Sequence, residues 1–213
     1  MKNFKLLIFF TFLFFQLFSA AQESFEGTIK FKFEYLDKTG ELSDDQAKQY
    51  MGTEQLYYLK KEKYKSVLNG LLNMKTFYNG NDTIFMKMSG TESLLYDLIT
   101  REDEEKIISH EFTDVTEKIA GLNCKLVIVK TNKGIHKYYY TEKVKINLEY
   151  YKNHKMGNWN YFLKITNGCV SIRHESDLKD SYQKIEVITI IKEPIDDEIF
   201  ERPNLPIIKM TKN

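Results

Sequence analysis

Residues 24–36 read SFEGTIKFKFEYL, with apolar and polar side chains in alternation. Phe25, Ile29, Phe31, Phe33 and Tyr35 fall on one side; Glu26, Thr28, Lys30, Lys32 and Glu34 fall on the other. A period of two is satisfied by a strand with one dry face and one wet face, and not by a helix. Two later stretches are read the same way. WNYFLKIT sets Trp159, Tyr161, Leu163 and Ile165 against Asn160, Lys164 and Thr166. YQKIEVITIIK, residues 182–192, starts in alternation and then becomes apolar on both sides, which predicts a more central strand or one covered on both faces.

The punctuation between these runs is turn chemistry. Asn69-Gly70, Asn79-Gly80 and Asn167-Gly168 each read as the centre of a type I′ hairpin, whose positive φ values Asn-Gly tolerates best. Asn132-Lys133-Gly134 joins another pair of strands, and every proline lies in the last twenty residues, at Pro194, Pro203 and Pro206. About ten strands in an antiparallel meander follow. One segment departs from the period. LSDDQAKQYMG, residues 42–52, has Ser43 as N-cap, Asp44 and Asp45 in a first turn and Gly52 as a stop, with Leu42, Ala47, Tyr50 and Met51 as an apolar stripe. It predicts a short helix. REDEEK, residues 101–106, and the acidic run Asp196-Asp197-Glu198 read as solvated turns. The final stretch is expected to run extended over the surface, docking through Ile199 and Phe200.

A mainly β chain with one short helix must hide the apolar face of its sheet. The economical arrangement is a single curved antiparallel sheet, an open half-barrel around that helix. A concave apolar surface of this kind is a place for a ligand.

The first residues predict a destination. Lys2 and Lys5 precede an apolar stretch from Leu6 to Phe18, and Ser19 and Ala21 supply the small-x-small pattern that signal peptidase requires. Cleavage is expected between Ala21 and Gln22, leaving 22–213 as one domain; the apolar stretch is shorter than the ~20 residues of a membrane span. The expected location is the periplasm or the extracellular space, with peripheral contact to the outer membrane as a variant, and not the interior of a membrane. The charge balance, 31 Lys and Arg against 30 Asp and Glu, supplies no basic footprint for nucleic acid.

VTEKIAGLNCKLVIVKT, residues 115–131, bends at Gly121 and raises the question of Cys124. As a nucleophile it lacks a base: His110, His136, His154 and His174 are scattered. A disulfide with Cys169 is chemically open in an exported chain, but a meander would place the two three or more strands apart, farther than the ~7 Å between Cα atoms that a disulfide tolerates. The preferred reading is a small buried residue alternating with Leu126 and Ile128. Clustered metal ligands, a nucleophile elbow and a phosphate loop are all missing from the sequence, so no cofactor is expected and the chain reads as a non-enzyme. RHES, residues 173–176, is read as surface. Lys143, Lys145, Lys152 and Lys155 around Tyr150, Tyr151 and Trp159 read as a wet loop in which lysine stems cover tyrosines.

EGTIKFKFEY at 26–35, TEQLYYLKKEKYKS at 53–66, KIAGLNCK at 118–125, YYTEKV at 139–144 and DDEIFERP at 196–203 together resemble an exported Gram-negative family similar to the LolA-like superfamily of periplasmic lipoprotein carriers. The resemblance implies an open half-barrel with a helix against its concave side, holding lipid acyl chains. The expected function is therefore binding or carriage of a hydrophobic ligand, a lipid or lipidated protein. Ile29, Phe31, Phe33, Tyr35, Trp159, Tyr161, Leu163 and Ile165 are the expected lining. Two alternatives stay open: those residues form a filled core under the Ser43 helix, or the protein is an envelope module that meets a protein partner.

Overall fold

The computed structural model describes residues 24–102 and 104–210. Residues 1–23, with the expected leader and the Ala21–Gln22 cleavage point, lie outside the described residues. Among those described, no helix is long and apolar enough to cross a membrane.

The protein is mainly β. One half contains β1 (Gly27–Asp37), α1 (Asp44–Met51), β2 (Glu54–Lys60), β3 (Lys63–Leu68), β4 (Lys75–Asn79), β5 (Thr83–Lys87) and β6 (Leu94–Leu98). The other contains β7 (Ile107–Ile119), β8 (Leu122–Thr131), β9 (Gly134–Lys145), α2 (Trp159–Ile165), β10 (Cys169–Leu178) and β11 (Ser181–Lys192), and β12 (Ile207–Lys209) closes the chain. Among the described residues, twelve strands share one unclosed sheet in the order β12-β6-β5-β4-β3-β2-β1-β11-β10-β9-β8-β7. There are thus two meanders, not one of about ten strands, zipped together along β1 and β11.

The order explains the curvature. β6 and β7 are consecutive in the chain but lie near opposite edges of the sheet. Flat, the ten steps between them would cover about 48 Å at ~4.8 Å each. Residues 99–106 reach at most about 32 Å when fully stretched. The sheet must therefore curl, and register breaks between Lys30 and Phe31 and between Cys169 and Arg173 bend the strands involved. β11 is hydrogen-bonded to both β1 and β10, but β10 pairs only with residues 182–186; the two-sided apolar stretch beyond pairs with β1 alone and leaves Ile188 and Ile191 exposed.

The turns divide the Asn-Gly pairs by role. The β7–β8 hairpin turns on Ala120 and Gly121, both at positive φ (47° and 79°), so Gly121 is indeed the bend. Asn79-Gly80 leads from β4 to β5. Asn69-Gly70 is not a hairpin centre: Asn69 Oδ1 accepts from the backbone N–H of Thr53 and of Glu54, both at 2.9 Å, tying the end of β3 to the start of β2. Asn167-Gly168 is not a hairpin either. Both residues have positive φ (54° and 80°), and Gly168 N–H donates to Leu163 at 2.8 Å, which ends α2.

That last finding corrects a larger expectation. WNYFLKIT is not a strand but α2, part of a long connection, residues 146–168, between β9 and β10. This connection, with single 3-10 turns at Leu148–Tyr150 and Met156–Asn158, folds over the concave face as a plug. It buries Tyr151, His154, Phe162 and Leu163 in or beside the main core. The wet-loop reading of this region is therefore wrong for Tyr151 and for Trp159, which packs against the core.

α1 forms where expected, with a capping box between Ser43 and Gln46, but none of its residues joins the main core or the lining of the cavity described below. It packs on β1 and buries Ala47, while Leu42 and Tyr50 stay exposed. The C-terminal stretch crosses the convex side. Phe200 and Ile195 are buried, Ile199 is half-buried, and Arg202 sits 4.5 Å above the Phe85 ring. Asp197 is not simply solvated: it pairs with Lys63 at 2.9 Å and Lys60 at 3.4 Å, and the Lys63 hydrogen bond heads the causes that lower its pKa. β12 then runs parallel to β6.

Candidate functional site

The concave face of β1–β5 can be read as cross-strand rows. The first runs Phe31–Gln55, the second Ile29–Tyr57–Ser66–Thr76–Met86, and the third Leu59–Tyr64–Tyr78–Ile84. Period two puts all of these on one side. The third row lies beneath the plug. Tyr64 stands 5.1 Å from Tyr78 and 5.2 Å from Trp159, and Tyr78 stands 6.0 Å from Tyr151, ring centre to ring centre. Tyr64 Oη is 2.8 Å from His154 Nε2, and Tyr151 O–H donates to the Lys61 carbonyl at 2.9 Å. These contacts anchor the plug to the sheet.

Between plug and sheet is a cavity of about 360 Å³. Its walls include Ile29, Phe31, Tyr57, Trp159 and Phe162, with Met74 and Met86 as deformable filler. The polar members are Gln55, Ser66, Thr76, Ser171, His154 and His174, and among the described residues no Asp, Glu, Lys or Arg lines it. Burial pushes the pKa of His154 down to about 4 and that of His174 to about 3, with His136 assisting at the latter. Burial also pushes the Tyr57 phenol up to about 12. Near neutral pH these groups add no charge to the cavity.

A polar network backs the cavity wall. His136 on β9 faces His174 and Ser176 on β10. His136 Nδ1 is 2.9 Å from Ser176 Oγ and 3.1 Å from His174 Nε2, while His136 Nε2 is 2.7 Å from Glu105 Oε1. Thr131 O–H donates to the same Glu105 oxygen at 2.5 Å. RHES is thus not surface: Ser176 is buried and His174 faces the cavity. Glu105, within the supposedly solvated REDEEK turn, points inward to His136. The His174 ring lies 4.1 Å from Tyr138 and nearly parallel to it, and Tyr138 in turn stacks on Phe162 at 4.4 Å. The network therefore holds His174 in place and links it through Tyr138 to α2.

A second hollow, about 850 Å³, lies on the other side of the plug. It is an open cleft lined by charged side chains such as Glu102, Lys106, Lys152 and Lys155.

The structure sorts the expected lining residues. Ile29, Phe31 and Trp159 line the cavity. Phe33 is buried, but outside the cavity wall, and Tyr35 is half-buried toward the end of β1. Tyr161 and Leu163 line the charged cleft, and Ile165 is half-buried against the core. In a helix, residues 159 and 162 share one face while 161 and 164 share another, so the alternating set divides. Phe162, assigned to neither strand face, is the residue that closes the cavity. Sequence reasoning also missed Gln55, His154 and His174, because nothing local says that three segments far apart in the chain meet.

Cys124 and Cys169 are free and fully buried. They lie on β8 and β10 with β9 alone between them, closer than the expected three strands because the Trp159 segment is helical. Burial raises both thiol pKa values, that of Cys169 to about 11, which leaves them poor nucleophiles. Among the described residues no group of three or more His, Cys, Asp or Glu side chains is placed to hold a metal ion.

What these features define is a class: an open β half-barrel with a helical plug over an uncharged aromatic cavity. No protein-family model matches the chain, and no curated protein matches it. Solved structures of similar path include PNGF-II in two crystal forms, at 11% and 12% identity with TM-scores of 0.45 and 0.38, each over 86% of this chain. The match spans about a third of the length of PNGF-II, 31% of that chain. The Mycobacterium tuberculosis lipoprotein LppX is similar over 80% of this chain and 89% of its own, at 10% identity and a TM-score of 0.38. Likenesses this distant say nothing about ligand or activity.

Proposed function

We propose that this protein is an exported, non-enzymatic binder or carrier of a hydrophobic ligand in the cell envelope. The observation that carries the reading is the cavity under the plug, aromatic-walled and without a charged side chain. A water-filled hollow of this composition is unfavourable, and an apolar ligand that displaces the water relieves it. The leader-like segment at residues 1–21 and the motif resemblance to LolA-like carriers support an envelope location and a lipid or lipidated protein as cargo. Ser176 and His136 sit behind the cavity wall in a structural network, which fits a binder better than a hydrolase.

Native mass spectrometry of protein purified from the envelope tests this. Added mass that organic solvent strips away is the expected result. A clean apo mass, with no response of the cavity to any alkyl probe, would favour a second reading, an interaction module. One observation points to that reading: β7 is a bare sheet edge on which Ile108, Phe112 and Val115 are exposed.

A further inference from the structure

The cavity is more specific than an oily hollow, and its specificity concerns charge. Resting on the reading above, we infer that its ligand is an uncharged amphiphile with a hydroxyl or amide head, and not an ionised fatty acid.

Size sets the first limit. About 360 Å³ at ~30 Å³ for each water-sized group is room for about a dozen heavy atoms. One alkyl chain of moderate length fits within it.

Charge sets the second. A carboxylate or an ammonium entering the cavity finds no counter-ion among its lining side chains. A buried charge without a partner is strongly disfavoured. The histidines do not supply one, because burial keeps both neutral at pH 7.

The third limit comes from polar groups left unmatched. Gln55 Oε1 is buried and has no hydrogen-bond partner, an arrangement that proteins avoid. Gln55 lies in the first cross-strand row, and Ser66 and Thr76 lie in the second. The third row, beneath Trp159, is apolar and aromatic. Gln55, Ser66 and Thr76 thus group toward one end of the wall, while His154 beside Tyr64 is a neutral polar group at the other. His174 contributes Nε2 to His136 and Ser176, and its ring forms part of the same wall. Gln55, Ser66 and Thr76 give this wall neutral polar side chains with which a hydroxyl or amide head can exchange hydrogen bonds. An alkyl tail then lies among Tyr64, Ile84 and Trp159.

The chain's single tryptophan, Trp159, lines the cavity and reports on it directly. Decan-1-ol, decyl methyl ether, decanoate and decyltrimethylammonium would be titrated at pH 7.4 below their aggregation limits, followed by Trp159 fluorescence and calorimetry. The alcohol is expected to bind at least about 30-fold more tightly than either ion, because each ion would be buried unpaired. Gln55→Leu is expected to weaken the alcohol about five-fold, the loss of one neutral hydrogen bond. Circular dichroism and a urea midpoint would establish that the variant is folded; if it is not, the wild-type series decides alone. Ions that bind as well as the alcohol would overturn the charge rule while sparing the hydrophobic-ligand reading. No binding by any of the four would remove both.

Discussion

The two helices are nearly the same length, eight residues in α1 and seven in α2, yet they do opposite work. α1 is held by its ends. Ser43 and Gln46 cap each other, Asp44 and Asp45 face the N-terminal partial charge, and Gly52 stops the helix. Packing adds little, since Ala47 is its one buried residue. α2 has no side-chain cap at its N-terminus, where Asn158 takes a left-handed conformation (φ 56°). It is held by what it covers, through Phe162 and Leu163. A helix can thus be specified by local hydrogen bonds or by a surface waiting to be covered. The second kind depends on parts of the chain it has not yet met.

That contrast can be tested in descending order of effect. Phe162→Ala removes the side chain stacked on Tyr138 and opens the cavity roof. We expect a loss of about 3–5 kcal/mol in urea unfolding, and a loss below 1 kcal/mol would mean that α2 is not held by its packing. Acid is next. Folded-state pKa values of about 4 for His154 and about 3 for His174 lie below the 6.5 of an unfolded histidine. Unfolding therefore takes up protons below pH 6.5. Stability present above that pH drains away as pH falls toward 4, by about 3 kcal/mol for His154 with His174 adding in the same direction. Amide hydrogen exchange at pH 7.0 and 4.5, corrected for intrinsic rates, should show residues 146–168 losing protection well before α1. Equal loss in both would break the comparison.

Two smaller changes sharpen it. Tyr64→Phe leaves His154 Nε2 without its phenol partner inside the core and should cost about 1–3 kcal/mol, with a shift in Trp159 fluorescence. Ser43→Ala removes the cap of α1 and should cost about 1 kcal/mol at most, with the cavity and Trp159 emission unchanged. A Ser43→Ala effect as large as that of Phe162→Ala would invert the assignment of roles.

The same contrast decides what could be read in advance. β1 declared itself through alternation, α1 through its caps, and the β7–β8 bend through Gly121. WNYFLKIT was misread because Trp159, Tyr161, Leu163 and Ile165 fit period two, while Trp159 and Phe162 fit helical spacing equally well, and seven residues are too few to separate the periods. Asn167-Gly168 compounded the error. Positive φ at consecutive residues serves a hairpin turn and a helix C-terminus alike. RHES was misplaced for a related reason: His174 and Ser176 share a face, but nothing local tells whether that face is wet or dry. Their partners, His136 and Glu105, arrive from another strand and from the loop between the sheet's edges.

Left to itself, the amino-acid order determined which residues of β1 lie on the same side and where α1 begins and ends. Those are properties of a residue and its near neighbours, set by backbone sterics and side-chain period. Which side of the sheet became concave, which helix became its plug, and that Gln55, His154, Trp159 and His174 share one small uncharged hollow were decided by tertiary structure. The reason is geometric: the short link from β6 to β7 forces the sheet to curl, and curling brings together groups whose separation along the chain carries no trace of their meeting.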